Sequence, residues 1–331
     1  MRILHEKDYR LFEKLVSLTE KEMVKAMGQY IKAKYDKVIM TKDYIIAIGD
    51  IPIALVAHMD TVFKTPVSNL YYDQNKGVMW SPEGLGADDR AGIFAILKIL
   101  QDGLRPSVIL TTGEEDGGVG ACAIVEKYPE CPIPGLKYMI QLDRHGTNDC
   151  VFYDCYCPEF IDYVESFGFC ERWGSFTDIS FLMPEWQIVG VNLSVGYEDE
   201  HSRTEILNVN PLFDTIRKVK KMLTEKEIPE FVYDEVVGVY ASTWWKKNGS
   251  WFGQHCSKCK KLYSEYELFP VLGLDGKTKF YCPDCIVGNI EWCEMCGEPF
   301  EIKEHTGKKL CKECEEELCT TSVPLKTNSE K

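Results

Sequence analysis

Two adjacent carboxylates, Asp88 and Asp89, lie between small residues in the segment Gly84–Gly92, directly before the apolar run Ile93–Leu97. Acidic side chains at the start of a helix can accept hydrogen bonds from free backbone N–H groups and face the helix's positive end. The same side chains can bind a divalent metal ion if other ligand residues approach them. The segment is either an ordinary helix cap or part of a metal site, and the other polar residues of the chain bear on the choice.

Further residues of the types that bind metals follow predicted strands or stand in glycine-rich turns next to them: His58, Asp60, Glu114, Glu115, Asp143 and His201. Two metal ions about 3.5–4 Å apart need a bridging ligand, and a carboxylate can bridge with its two oxygens, whereas an imidazole normally cannot. Asp88 is the candidate bridge. His58 and His201 can supply one nitrogen each. Glu115 and Asp143 can supply one terminal carboxylate each.

Two acids remain without a metal ion in this arrangement. Glu114 lies beside Glu115, in a place that suits a general base. Asp60 follows His58 by two residues and can orient it through the other ring nitrogen. A plainer interpretation exists for each of these residues, because adjacent glutamates often form a solvated surface and a single histidine after a strand is often a surface residue.

A basic pair, Arg144-His145, directly follows Asp143. Arg144 either binds a substrate carboxylate or, as the simpler alternative, pairs with a neighbouring acid. The segment Ser175–Asp178 either lines a substrate site or caps the short helix predicted after it. Both pairs of alternatives stay open at the level of sequence.

Apolar patterns indicate the elements that position these residues. Near-continuous apolar runs, typical of strands buried on both faces, occur at 51–57, 107–111, 136–142 and 187–195. Apolar residues recur at helical spacing most clearly at 8–34, 93–100 and 211–223. Strands that alternate with helices predict an α/β fold with a mainly parallel central sheet and helices on both faces. Ligands of such sheets bind beyond the carboxyl ends of the strands, where most candidate residues fall.

The composition is that of a globular protein and excludes some functions. The 331 residues are 45% hydrophobic and 27% charged, with a formal net charge of -14, which disfavours non-specific attraction to nucleic acid or to an anionic membrane. The sequence has no run of about 18 apolar residues, the length that a membrane span requires. Its first residues lack the apolar core of a signal peptide. We therefore expect a cytoplasmic protein with reduced thiols.

The 15 cysteines are distributed unevenly, and nine of them follow residue 255. Eight of these nine form Cys-x-x-Cys pairs: Cys256, Cys259, Cys282, Cys285, Cys293, Cys296, Cys311 and Cys314. Thiolate pairs at this spacing hold zinc in structural sites, so four pairs predict two such sites. Sequential pairing is the simplest arrangement, and a crossed pairing is the alternative. Because little apolar sequence separates the ligands, zinc must supply much of the folding free energy of this module.

The patterns together predict four regions: a large domain at 1–240, a linker at 241–253, a zinc-binding cysteine module at 254–318 and a disordered tail at 319–331. The residues from 251 onward contain 11 Lys against 14 Asp and Glu. A module that binds nucleic acid is normally basic. We therefore expect the cysteine module to serve contact with a protein partner, homo-oligomerisation or substrate gating.

Three segments resemble the successive metal motifs of the co-catalytic di-zinc peptidases, the clan that includes families M20, M28 and M42: His58–Val62, Gly86–Gly92 and Thr111–Ala121. The segment Tyr197–Ser202 is similar to the one that carries the last histidine ligand of that clan. The resemblance covers about residues 35–225. The ordered set of motifs is much more specific than any one of them.

The resemblance implies a role for each candidate ligand. Asp88 bridges two metal ions, and the peptide bond after it is expected to be cis. His58 and Asp143 complete the ligands of one ion. Glu115 and His201 complete those of the other. The implied ions are Zn²⁺, which Co²⁺ or Mn²⁺ could replace, in addition to two structural zinc ions in the cysteine module.

The implied activity is hydrolysis of an amide or peptide bond by a metal-activated water, with Glu114 as the general base and Asp60 in support of His58. An exopeptidase that acts on short peptides fits best, with no choice between aminopeptidase and carboxypeptidase. One alternative keeps the site and changes the substrate to a small acylated amino acid. Another is a zinc-ribbon binding protein with a vestigial hydrolase domain, against which the complete ligand set argues.

Overall fold

A computed structural model describes residues 4–153, 155, 157–233, 254–263, 268–272, 278–286, 290–293 and 299–302. The chain divides into two compact units, Met1–Thr243 and Trp244–Lys331. The predicted linker at 241–253 and the predicted disordered tail at 319–331 fall entirely outside the described residues. The assignment of domains therefore stays a prediction.

The described part of the large unit alternates helices and strands. Its helices are α1 (Glu6–Val16), α2 (Glu20–Lys32), α3 (Ala87–Gln101), α4 (Val119–Lys127), α5 (Pro158–Glu165), α6 (Asp178–Trp186) and α7 (Val209–Leu223). Its strands are β1 (Lys37–Met40), β2 (Tyr44–Ile48), β3 (Ile51–His58), β4 (Tyr71–Asp73), β5 (Val78–Trp80), β6 (Pro106–Thr111), β7 (Tyr138–Arg144), β8 (Asp149–Val151), β9 (Cys170–Glu171), β10 (Gly190–Ser194), β11 (Tyr197–Glu198) and β12 (Ile206–Asn208).

The central sheet has eight strands in the order β1-β2-β6-β3-β7-β10-β8-β9. The four middle strands, β6, β3, β7 and β10, run parallel to one another. They are buried along most of their length, which explains their near-continuous apolar sequences. Antiparallel pairs flank them, formed by β1 with β2, β2 with β6, and β8 with β10. The predicted α/β fold with a mainly parallel central sheet is confirmed.

Helices cover both faces of this sheet, as predicted. α1 and α7 pack with α3 on one face, and α4 packs with α6 on the other. A Cβ atom at Gly92 in α3 would come within 2.2 Å of the carbonyl oxygen of Leu142. Glycine therefore allows α3 to approach β7 closely. This contact places the start of α3 beside the end of β7, where Asp143 lies.

The region at 8–34, which shows helical spacing in the sequence, consists of two helices, α1 and α2. Thr19 begins α2 with a reciprocal cap, in which its backbone N–H donates to the Glu22 carboxylate at 3.0 Å. The backbone N–H of Glu22 donates to the Thr19 hydroxyl at 3.4 Å. This capping box favours a new helix start over continuation of α1.

A second, antiparallel sheet has the order β11-β12-β5-β4. Strands β4 and β5 pair antiparallel to form a hairpin at 71–80. The turn between β11 and β12 carries His201, whose φ of 62° lies in the left-handed region. This small sheet thus delivers the last of the candidate histidines.

The described part of the small unit is built from short elements: β13 (Gln254–His255), β14 (Leu262–Tyr263), β15 (Phe269–Leu272), β16 (Thr278–Tyr281), α8 (Pro283–Ile286), β17 (Ile290–Trp292) and β18 (Pro299–Glu301). β13 pairs with β14, and the other strands form a sheet in the order β16-β15-β18-β17. Across the described residues of both units, no helix has the length and apolar character that crossing a membrane requires.

Candidate metal centre

The candidate residues of the large unit meet at the carboxyl edge of the parallel strands. His58 is the last residue of β3, Asp143 lies near the end of β7, and Glu114 follows β6 in the turn before α4. Asp88 lies at the start of α3, and the β11–β12 turn adds His201. The edge of the sheet thus brings together residues that are widely separated in sequence.

Asp88 lies between the two histidines and directs one carboxylate oxygen towards each. Oδ1 lies 3.0 Å from His58 Nε2, and Oδ2 lies 3.1 Å from His201 Nε2. Burial by itself would raise the pKa of Asp88, but the hydrogen bonds with His201 and His58 hold it below its usual value. The geometry is the one predicted for a bridging carboxylate.

Each histidine has a second carboxylate within reach, in the pairing that the resemblance implied. His58 Nε2 is 3.5 Å from Asp143 Oδ1, and His201 Nε2 is 3.0 Å from Glu115 Oε2. His58 is fully buried, whereas the side chain of His201 is 48% exposed, so the site is accessible to solvent on the His201 side. Hydrogen bonds to Asp88 and Glu115 raise the pKa of His201 to about 11.

Asp60 and Glu114 lie beside these residues, as predicted for the two acids that bind no metal. Asp60 Oδ1 is 3.3 Å from His58 Nδ1, and its Oδ2 accepts a hydrogen bond from the backbone N–H of Glu115 at 3.1 Å. Glu114 is 8% exposed. Its burial, reinforced by the negative charge of Asp143, raises its pKa well above the usual range. A carboxylate in such surroundings is a stronger proton acceptor than one in water.

The two adjacent aspartates have different surroundings, one typical of a helix cap and the other of a metal site. Asp89 Oδ1 accepts a hydrogen bond from the backbone N–H of Gly92 at 2.8 Å, as a helix cap does, and Oδ2 accepts one from the backbone N–H of His58 at 3.1 Å. The peptide bond between Asp88 and Asp89 is cis, as the resemblance implied. Asp89 therefore caps α3, while Asp88 faces the histidines.

Asp143 is held by two hydroxyl groups that no clear sequence pattern indicated. Thr177 Oγ1 donates to its Oδ2 at 2.8 Å, and the Tyr197 hydroxyl donates to its Oδ1 at 3.1 Å. Of the two alternatives for Ser175–Asp178, the cap is present, because Ser180 Oγ accepts from the Thr177 backbone N–H at 3.0 Å. The Thr177 side chain nevertheless points to the candidate ligand, which the capping pattern did not indicate.

Glu205 is a buried residue of the site that the sequence did not single out. It lies directly before β12 and accepts hydrogen bonds from the backbone N–H groups of Gly86 at 2.6 Å and Asp88 at 3.0 Å. Burial raises its pKa to about 8. No motif surrounds it, so only the position of His201 four residues earlier could have drawn attention to it.

The two basic residues after Asp143, Arg144 and His145, have different surroundings in the structure. His145 Nδ1 lies 2.6 Å from Glu200 Oε1, so that the imidazole is paired with an acid. Arg144 has no such pair among the described residues, and its Nε atom is buried without a hydrogen-bond partner. The simpler alternative for Arg144 is therefore not what the structure shows.

The residues present fit divalent cations. Two groups of three residues each bring their possible ligand atoms within 4.8 Å of one another. One group is His58, Asp88 and Glu115, and the other is His58, Asp89 and Asp143. Glu115 Oε1 is buried without a hydrogen-bond partner among the described residues. Burying several carboxylates close together is costly, and bound cations offset that cost. Imidazole and carboxylate ligands in this combination suit zinc and related ions.

The small unit contains a second kind of site, in which four thiols lie within 4.8 Å of one another: Cys256, Cys259, Cys282 and Cys285. These are the two pairs that sequential pairing joins. Cys293 of the other predicted site is buried. Its three predicted partners lie outside the described residues, so that site stays a prediction: Cys296, Cys311 and Cys314.

By sequence, the chain matches no protein-family model and none of the curated proteins. Solved structures share its fold at low identity. A tripeptidase from Staphylococcus aureus subsp. aureus mu50 has a TM-score of 0.53 at 14% identity, over 67% of this chain and 98% of that one. The TET aminopeptidase from the marine sediment archaeon Thaumarchaeota archaeon SCGC AB-539-E09 has a TM-score of 0.52 at 14% identity, over 67% and 97%. Aminopeptidase PepT from Bacillus cereus ATCC 10987 has a TM-score of 0.50 at 16% identity, over 67% and 98%. The predicted zinc-exopeptidase-like fold is thereby confirmed: the chain has the fold of these peptidases, together with a four-cysteine cluster in its second unit.

Proposed function

We propose that the large unit is a metal-dependent hydrolase of amide bonds and that it acts as an exopeptidase on short peptides. The position of Asp88 carries this proposal, because its two carboxylate oxygens face two different histidines. A shared carboxylate, with one histidine and one further acid on each side, is the arrangement that a pair of divalent ions requires. The fold shared with peptidases supports the same reaction class by analogy.

The residues that would hold the two ions are His58, Asp88, Glu115, Asp143 and His201. Ions bound there would supply Lewis acidity, which lowers the pKa of water and polarises a carbonyl group. Glu114 would take the proton of the attacking water and pass it to the leaving amine. Its burial keeps the proton away from bulk solvent. Asp60 would keep the ring of His58 in place through Nδ1.

The adjacent glutamates allow a sharp test. Glu114→Gln keeps the size and shape of the side chain but removes the proton acceptor. We expect kcat for a susceptible peptide to fall by about 10²–10⁴-fold, while elemental analysis finds the same bound metal as in the unaltered protein. Glu115→Gln is the matched control. It should lose metal and part of its activity, and excess metal should restore some of that activity.

The reverse result, with metal lost from Glu114→Gln and retained by Glu115→Gln, would exchange the two roles. Hydrolysis that neither change affects would place the chemistry elsewhere.

A screen of free, N-blocked and C-blocked peptides tests the exopeptidase proposal, since an exopeptidase needs one free terminus. Cleavage of acylated amino acids alone would contradict the peptidase assignment and leave the hydrolase assignment in place.

A further inference from the structure

Arg144 is a partly buried cation that lies next in sequence to a candidate metal ligand. It follows Asp143 on β7, and its Nε atom is buried without a hydrogen-bond partner. No acid among the described residues lies within ion-pair distance of its guanidinium. A buried, unpartnered N–H of a charged group is costly, and a bound anion would remove that cost.

Asn192 ties the backbone at Arg144 to a second polar group, the phenol of Tyr153. Its Nδ2 donates to the carbonyl oxygen of Asp143 at 2.7 Å and to the Tyr153 hydroxyl oxygen at 2.9 Å. Its Oδ1 accepts from the backbone N–H of Asp143 at 2.9 Å. Asn192 thereby fixes both the start of the Arg144 side chain and the phenol. Because the Tyr153 oxygen accepts from Asn192, its own O–H remains available to donate.

Tyr153 also lies within the electrostatic influence of the candidate site. The charges of Asp143, Glu114 and Arg144 all act on its hydroxyl. Its φ of 55° is uncommon for a bulky residue. Such conformations persist where the surroundings determine them, which is frequent in ligand sites. The phenol of Tyr153 is thus joined through Asn192 to the backbone that carries Arg144.

We infer that Arg144 and Tyr153 bind the free C-terminal carboxylate of the substrate, an inference that rests on the proposed peptidase function. The guanidinium presents several N–H donors in one plane, which matches the geometry of a carboxylate. The subsite directly follows the candidate ligand Asp143 in β7. With the C-terminal carboxylate held by these two residues, the substrate class we infer is an unblocked dipeptide or tripeptide.

The test compares the dipeptide Leu-Gly with its C-terminal amide on the metal-loaded, full-length protein. The unaltered protein should cleave Leu-Gly with a kcat/KM at least about 10-fold higher than that for the amide. Arg144→Met should lower kcat/KM for Leu-Gly by about 10–100-fold, mainly through KM, and leave the amide unaffected. Tyr153→Phe should cause a smaller loss of the same kind. Arg217→Met, which removes an exposed arginine of α7 paired with Asp214, is the matched control and should change neither value.

Two kinetic outcomes would overturn the inference. One is an unaltered protein with no preference for the free carboxylate, a comparison that decides the question even if Arg144→Met does not fold. The other is an equal loss for both substrates in Arg144→Met, which would assign Arg144 to the oxygen of the reacting carbonyl.

A binding measurement separates this inference from the proposed function. Leu-Gly and its amide are titrated calorimetrically into two metal-loaded proteins, the Glu114→Gln variant and the double variant that also carries Arg144→Met. Because Glu114→Gln prevents turnover, the titration measures binding alone. Binding that depends on the carboxylate and is lost with Arg144 would support the subsite even if the unaltered protein cleaves no peptide, a result that would contradict the function alone. Binding of equal strength with and without Arg144 would overturn the subsite.

Discussion

A single hydroxyl group orients one of the candidate ligands. Thr177 Oγ1 donates to Asp143 Oδ2, and the other carboxylate oxygen of Asp143 is thereby turned towards His58. Without that hydrogen bond the carboxylate could rotate away from its ligand position. Groups that orient a metal ligand in this way commonly affect metal affinity as strongly as some ligands do.

Thr177→Val preserves the shape of the side chain and removes the donor. We expect affinity for Zn²⁺, measured in competition with a chelator, to fall by about 10–100-fold. Ser180→Ala is the control, because Ser180 accepts from the Thr177 backbone at the same helix start and makes no hydrogen bond to Asp143. Equal losses in the two variants would mean that the helix cap, and not the contact with Asp143, is what matters.

The candidate ligands could be predicted from sequence because histidines and acids at strand ends form a recognisable ordered set. The residues that hold them could not. Asn192 lies within a buried apolar strand, and Glu205 lies in a polar turn, so that neither stands out by periodicity or spacing. A hydrogen bond to a ligand depends on the direction of one side chain, and the sequence pattern carries no information about that direction.

At the scale of elements, Glu205 joins the strand β12 to the start of α3 through two backbone hydrogen bonds. Burial raises the pKa of Glu205 to about 8. It likewise raises the pKa of Asp178, a buried residue of α6, to about 7. The unfolded chain titrates these acids near their ordinary values of about 4. Between those limits the folded, metal-free protein holds more protons than the unfolded chain, so its stability is lost as pH rises through the folded pKa values.

We therefore expect the free energy of unfolding of the metal-free protein to decrease as the pH rises from about 5 to about 8. Urea denaturation at constant ionic strength measures it. Glu205→Gln removes one titrating group and should flatten this dependence. Stability that increases over the same pH range would show that these acids are ionised in the folded protein.

The long buried strands were the elements that sequence predicted best. The runs at 51–57 and 107–111 correspond to β3 and β6 because strands covered on both faces must be apolar throughout. The short strands β8, β9, β11 and β12 were not predicted, since strands of two or three residues depend on their pairing partners and carry no alternation of their own. The break before α2 was missed, although Thr19 and Glu22 have the spacing of a capping box.

At the scale of the whole molecule, the protein carries two kinds of candidate metal site, one in each unit. The large unit offers imidazoles and carboxylates, and the small unit offers four clustered thiols. Sites of four thiolates leave no open coordination position and serve folding, whereas mixed sites with solvent access serve catalysis. Loss of one site should therefore leave the other unit able to bind its own metal.

Elemental analysis of the full chain should find about four divalent ions, two in each unit. Cys282→Ser should unfold the small unit locally and lower the metal content, while the large unit keeps its ions and its hydrolysis of peptides. Cys170→Ser, which changes an exposed cysteine of the large unit, is the control and should leave the metal content unchanged. If Cys282→Ser loses every ion, the two units share a core and the predicted boundary at 241–253 is wrong.

The strand order also has a consequence for synthesis on the ribosome. β3 pairs with β6 on one side and with β7 on the other, and both are translated after it. Until β7 has emerged, at least one edge of this apolar strand lacks its partner, and unpaired apolar edges favour association between nascent chains. His201 is translated later still. The growing chain can therefore complete the middle of its sheet while the last histidine is still inside the ribosome, so an ion that needs this histidine as a ligand could bind only after both events.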